Sequence, residues 1–173
     1  MDIEIKIATS ETIAKVLPLL NAANAHFVNL ANATRREPAY NAAFNEDLAD
    51  FMVKHQYQEE AVVIDERILE TDLVAYAENE QGEVCGCVAL NDFVGDGKVV
   101  QLNDLYVTDG CRRNGIARRL AYYAINTACE HGKKVELGIL ENNENGKAFW
   151  DDFFKREALV TPCKIYSYYY IFS

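Results

Sequence analysis

Val100-Gln101-Leu102-Asn103-Asp104-Leu105-Tyr106-Val107, followed by Thr108 to Cys111 and then by Arg112-Arg113-Asn114-Gly115-Ile116-Ala117 and the run from Arg118, decides how this chain is read. The first eight residues alternate as a strand, and a short turn follows whose glycine opens a helix. Ile116, Ala117, Leu120, Ala121, Ala124, Ile125 and Ala128 recur at three- and four-residue spacing, and Gly132 stands where a C′ glycine stops a helix. A strand running through such a turn into a helix aims consecutive unpaired backbone N–H groups at one point, where the helix dipole also favours negative charge. The stretch is an anion cradle, and the bland alternative is an ordinary strand-turn-helix with a glycine for packing.

Two better-known cradles do not fit. A Walker A loop needs Gly-Lys-Ser/Thr, which does not follow Gly115, and a Rossmann loop needs three closely spaced glycines where only one lies between Cys111 and His131. The 173 residues, half of them apolar, suit one domain spanning 1–173. Met1-Asp2-Ile3-Glu4-Ile5-Lys6-Ile7 alternates and carries acids, unlike a signal peptide, and no run reaches the ~18 apolar residues of a membrane span. The expectation is a cytoplasmic protein. Its formal charge of −10 repels nucleic acid and anionic membranes and eases the approach of a cationic or amine substrate. Against that background the cluster Arg112, Arg113, Arg118 and Arg119 stands out. Five scattered cysteines lack paired C-x-x-C motifs, and Cys85 and Cys87, two apart on a strand, read as buried small residues rather than a metal site.

In chain order, residues 3–8 alternate as a strand that ends at Thr9-Ser10, good caps for a helix carrying Ile13, Val16, Leu17, Leu20, Ala23, Phe27, Val28 and Ala31. Pro18 inside that stripe should kink the helix or delay its start. Residues 33–44 read as a loop or short broken helix, and a helix starts again at Asn45. Residues 58–70 support either a strand or a short helix. Strands near 72–79, 83–91 and 98–107 form an antiparallel meander with Gly82 in its first turn. Residues 134–140 form a strand reached by a helical crossover, so it lies parallel to its predecessor. A helix from Asn143 or Asn145 and a last strand over 165–172 complete the order; the aromatic density of that strand suits either a homodimer seam or core and edge packing.

Arg112, Gly115 and Ala117 match the Gln/Arg-x-x-Gly-x-Gly/Ala turn of the GCN5-related N-acetyltransferases (GNAT family), and Asn143-Glu144-Asn145-Gly146-Lys147-Ala148-Phe149-Trp150 is similar to that family's second landmark. The element order βααβββαβαβ also resembles theirs. The resemblance implies the α/β acyl-CoA N-acyltransferase fold: a mostly antiparallel central sheet with a parallel splayed strand pair, flanked by about four helices. It further implies acetyl-CoA as cosubstrate, without a metal, and an amine acceptor. By that analogy backbone groups of Leu105, Tyr106 and Val107 pair with pantetheine, and the amides of Arg112, Arg113, Asn114, Gly115, Ile116, Ala117 and Arg118 hold the pyrophosphate. Asn143 would touch CoA, and Trp150 stands where many relatives place an acidic tyrosine. Indole is no practical acid, so Tyr106, a tyrosine of the last strand or water takes that role. Gln101 stands where some relatives place a basic glutamate, which leaves Asp104 as candidate base or ammonium ligand. Tyr40 and, more weakly, Glu78 are further acceptor-side candidates. The expected reaction is acetyl transfer to a primary amine of a small cationic metabolite, with a protein amine or an idle CoA-binding module as alternatives.

Overall fold

The computed structural model describes residues 2–35, 61–140, 143–156, 162–166 and 169–172. In chain order they form β1 (Ile3–Ile7), α1 (Ile13–Arg35), β2 (Leu73–Asn79), β3 (Val84–Asn91), β4 (Val99–Val107), α2 (Ile116–Glu130), β5 (Lys134–Gly138), α3 (Glu144–Arg156), β6 (Pro162–Tyr166) and β7 (Tyr169–Phe172). The sheet order is β1-β2-β3-β4-β5-β7-β6, and every neighbouring pair is antiparallel except β4 with β5. Meander, helical crossover and parallel strand thus stand as expected.

Side chains alternate between two cores. On one face Val88, Leu90, Val100 and Leu102 pack under Ile116, Leu120 and Ala124 of α2; on the other Val74, Tyr76, Cys87 and Ala89 pack under Ile13, Val16 and Leu20 of α1. The α2 helix stops as read: Gly132 (φ 70°) follows the cap residue His131, its N–H donates to the Cys129 carbonyl at 2.9 Å, and the Lys133 N–H donates to that of Ala128 at 2.9 Å.

Two open alternatives narrow and one expectation changes. Pro18 lies inside α1 without delaying its start, because Thr9 closes the first turn by accepting from the Thr12 and Ile13 N–H groups. Residues 66–70 form a single 3₁₀ turn capped by the Asp65 side chain. The segment before it is strapped to α1, because the Asn21 amide donates to the Ile64 carbonyl at 3.0 Å and accepts from its N–H at 2.8 Å. The terminal run is two strands rather than one, with Tyr166 opposite Tyr169; a lone Ser167 among tyrosines, with no glycine or proline, is a weak turn signal. The helix expected from Asn45 lies outside the described residues.

What positions the site is a parting of strands. β4 pairs with β5 only at Val99↔Lys134, Val100↔Val135 and Gln101↔Glu136. Beyond that point β4 stays with β3 as far as Val107, while β5 stays with β7 as far as Gly138. The cause is local. Between Cys87 and Ala89 the β3–β4 register slips, and Asp104 on the opposing strand takes φ 53°, a left-handed conformation that aspartate tolerates better than most residues. Such a bulge bends and twists its strand away from the next.

Gly86 makes this arrangement fit. A Cβ there would lie 2.8 Å from the Tyr106 carbonyl oxygen and 3.1 Å from Leu120 Cδ1, so β4 could not sit where it does. Gly86→Ala is expected to cost roughly 1–3 kcal/mol of stability by overpacking, read as a lowered midpoint in thermal denaturation; an unchanged midpoint would show that β4 has room to move.

Candidate active site

The turn after β4 is built from two left-handed residues, Arg113 (φ 66°) and Gly115 (φ 74°), on either side of Asn114. The Asn114 side chain closes it by donating to the Cys111 and Arg112 carbonyls at 3.2 and 3.3 Å. Alternating handedness turns successive N–H groups toward a common point. The Arg112 N–H donates to Asp109 at 3.3 Å, and the Arg119 N–H to Gly115 at 3.1 Å. Between them, the N–H groups of Arg113, Asn114, Gly115, Ile116 and Ala117 have no protein acceptor among the described residues. A Cβ built on Gly115 meets nothing within 4 Å, so a ligand can reach the backbone there.

The arginines divide. Arg112 Nε donates to the Val107 carbonyl at 2.9 Å, its guanidinium pairs with Asp109 at 2.8 Å and lies 5.6 Å from the Tyr106 ring centre. It braces the strand against the turn, and with its N–H also engaged the open amides begin at Arg113. Arg118 pairs with Asp152 of α3, and Arg119 donates to the Ile3 carbonyl at 2.6 Å. Arg113 remains exposed on the turn.

The second landmark has a local reason. Asn143 caps α3: its Oδ1 accepts the Gly146 N–H at 2.9 Å, and its carbonyl accepts the Lys147 N–H at 2.9 Å. A Cβ on Gly146 would come within 2.6 Å of the Asn143 amide, which accounts for the Asn-x-x-Gly spacing. Trp150 is 6% exposed and packs edge-on to Phe149 and Phe153, with ring centres 5.0 and 5.3 Å away, and stacks on Phe154. It is a core ring rather than one open to a ligand.

Asp104 lies on the bulge beside the parted strands. Its carboxyl accepts no hydrogen bond among the described residues, and burial, then the nearby charge of Asp72, pushes it up to about 7. Tyr106 packs with the α1-side core, two residues along. Gln101 stands at the last β4–β5 pair. Glu78 is held between Lys6, at 3.0 Å, and Lys15 of α1, so its charge is already matched. Tyr40 lies outside the described residues. Sequence reading missed Gly86 and the partners Asp72, Asn91 and Asn103, because no spacing rule ties residues on three strands together.

A solvent-open concavity of about 1160 Å³ lies elsewhere, between the β1 edge and α2, and includes neither Leu105–Val107 nor Arg113–Ala117. In its lining Asp2, Glu4, Glu78, Glu80 and Glu130 outnumber Arg118 and Arg119, which disfavours an anionic ligand. Among the described residues no group of three His, Cys, Asp or Glu could hold a metal ion, and no helix is long and apolar enough to cross a membrane.

The raised Asp104 fixes a sign. The folded protein holds a proton there between about pH 4, the unfolded aspartate value, and about 7, so this residue makes stability fall as pH rises through that window. Asp104→Asn is expected to flatten that part of a denaturant-midpoint profile against pH; an unaltered profile would mean that the carboxyl is not perturbed.

The model of the Acetyltransferase (GNAT) family matches residues 39–153. Comparison with curated proteins gives no significant match. Among solved structures the chain is similar to an acetyltransferase of the GNAT family from Staphylococcus aureus Mu50 (TM-score 0.58, 14% identity, 98% of each chain covered). It is also similar to a GNAT family N-acetyltransferase from Escherichia coli in complex with CoA (0.50, 17%, 88% of this chain and 68% of that one). A third is an aminoglycoside acetyltransferase from an uncultured soil metagenomic sample, in complex with trehalose (0.56, 14%, 95% of each). At these identities the structures speak to the fold, whereas the family match spans more than half of the 173 residues. The chain belongs to the GNAT acetyltransferase family and is an acyltransferase.

Proposed function

We propose that this acetyltransferase moves the acetyl group of acetyl-CoA directly to a primary amine of a small cationic molecule. The observation that carries the cosubstrate is the run of five open amides, Arg113 to Ala117, placed beside a β4 edge that β5 has left. Those amides and the start of the α2 dipole suit a diphosphate, and the β4 backbone from Leu105 to Val107 suits the amides of an extended pantetheine arm. CoA supplies an activated acetyl thioester; the chain's residues orient it and manage protons. Hydrogen bonds to a charged group contribute about 1.5–3 kcal/mol each, against roughly 0–1 kcal/mol for an exposed ion pair. The amides therefore outweigh the surface arginines.

Asp104 is the acceptor-side group in this reading. An alkylammonium, near 10.4 for lysine, must lose a proton before its nitrogen can attack, and a carboxylate titrating near 7 is suited to take it. It also attracts a cationic acceptor, as does the net charge of −10. The Tyr106 hydroxyl, two residues along the same strand, is the candidate to return a proton to the departing sulfur. The aminoglycoside acetyltransferase neighbour is consistent with a small polycation, although its likeness is one of fold.

The test follows thiol release from acetyl-CoA with spermidine, kanamycin, lysine and a lysine-containing peptide. Saturable turnover is expected with at least one of the two polycations, at a rate that rises with pH through about 7. Asp104→Asn is expected to remove that limb and lower kcat by about 10²–10⁴. Turnover of the peptide alone would move the acceptor to protein amines. CoA binding by calorimetry without turnover of any amine would make the protein an idle binding module.

A further inference from the structure

Asp72 is 8% exposed and carries a carboxylate at the head of β2. Its Oδ1 accepts the Asp92 N–H at 3.1 Å and its Oδ2 accepts the Asn91 side-chain amide at 2.7 Å. The Asn91 Oδ1 in turn accepts the side-chain amide of Asn103 at 2.7 Å, so a polar relay crosses β2, β3 and β4 and ends at the exposed residue preceding Asp104.

The direction of this relay is fixed at one end. An ionised carboxylate can only accept, so Asn91 must turn its NH₂ toward Asp72 and its oxygen toward β4. Asn103 must then give its NH₂ to Asn91, which leaves its own Oδ1 facing outward. Among the described residues no donor satisfies that oxygen. Turning Asn103 over would set acceptor against acceptor, and turning Asn91 over would do the same at Asp72 while setting donor against donor at Asn103; at the part-buried Asp72 end an unmade bond costs about 1–3 kcal/mol.

We infer that Asn103 is an acceptor-binding residue whose oxygen, aimed outward by Asp72 through Asn91, receives an N–H of the incoming amine next to the Asp104 carboxylate. Asp72 touches no substrate and acts as a positioning residue. The inference rests on the acetyltransferase reading for the identity of the amine, but the relay itself does not.

Asp72→Asn supplies the decisive variant. With one oxygen instead of two, residue 72 satisfies Asp92 with it and turns its NH₂ toward Asn91. Asn91 then flips, Asn103 follows, and an NH₂ group faces the amine. KM for spermidine and kanamycin is expected to rise about tenfold, the size of one hydrogen bond to a charged group. The Kd for CoA should stay within about twofold, since the amide turn is untouched. Adding Asn103→Asp presents an accepting oxygen whichever way the relay runs, and should bring KM back to within about threefold of wild type. An unchanged KM in Asp72→Asn, or no recovery in the double variant, overturns the proposal.

A readout that needs neither turnover nor a variant stands beside it. In the wild-type protein the side-chain NH₂ protons of Asn91, part-buried against Asp72, should exchange with solvent at least about tenfold more slowly than those of an exposed asparagine. Free exchange there overturns the relay even if the protein proves to be an active acetyltransferase. Slow exchange with no turnover would instead keep the relay and remove the reading on which the amine rests.

Discussion

The constraint on which the site depends is that β4 cannot stay with both of its neighbours. Its first three residues pair with β5 and the strand meets β3 from Gln101 onward, but the bulge at Asp104 bends it, and beyond Gln101 it follows β3 while β5 follows β7. Three consequences share that cause. A backbone edge opens on β4, a carboxylate that would otherwise lie in a regular ladder is set down at the opening, and the end of the strand is delivered to the turn that starts α2. Gly86 lets the bent strand lie against β3, and Arg112 ties the strand end to the turn through the Val107 carbonyl. Backbone strain at Asp104 and Arg113, of order 1–3 kcal/mol each, is held in place by these contacts.

An acidic protein that binds an acidic cosubstrate needs an explanation in magnitudes. The charge of −10 is spread over the surface, and at physiological salt its field is screened beyond about 8 Å. The amides from Arg113 to Ala117 act at contact, where screening has little effect. Long-range repulsion therefore slows the approach of CoA more than it weakens the complex, while the same field favours a cationic acceptor. The arginines of α2 do less than their number suggests, because Arg118 and Arg119 are drawn to Asp152 and the Ile3 carbonyl.

Much of this was legible in the chain. Alternation marked β2 to β5, helical spacing marked α2, and Gly115 and Gly132 marked its two ends, since each rule concerns residues close in sequence. Asn143 was correctly placed at the start of a helix, yet its side chain is engaged as a cap; the same Asn-x-x-Gly pattern serves both a fold and a site, and spacing alone does not separate them. Trp150 stands by register where relatives place a tyrosine at the cofactor, whereas α3 turns it into the aromatic core. The Asp72–Asn91–Asn103 relay was invisible, because residues 19 and 12 apart meet only once the sheet is assembled.

The central claim is that open amides around Gly115 and the freed edge of β4 together receive CoA. Titration of CoA into ¹⁵N-labelled protein, followed by amide chemical shift and exchange, tests both parts at once. The account predicts that the Arg113 to Ala117 amides shift most and become protected, with further changes along Leu105–Val107, while Val99–Gln101, already paired with β5, stay as they were. Shifts confined to the concavity between β1 and α2, or no change at Gly115 at saturating CoA, would contradict it.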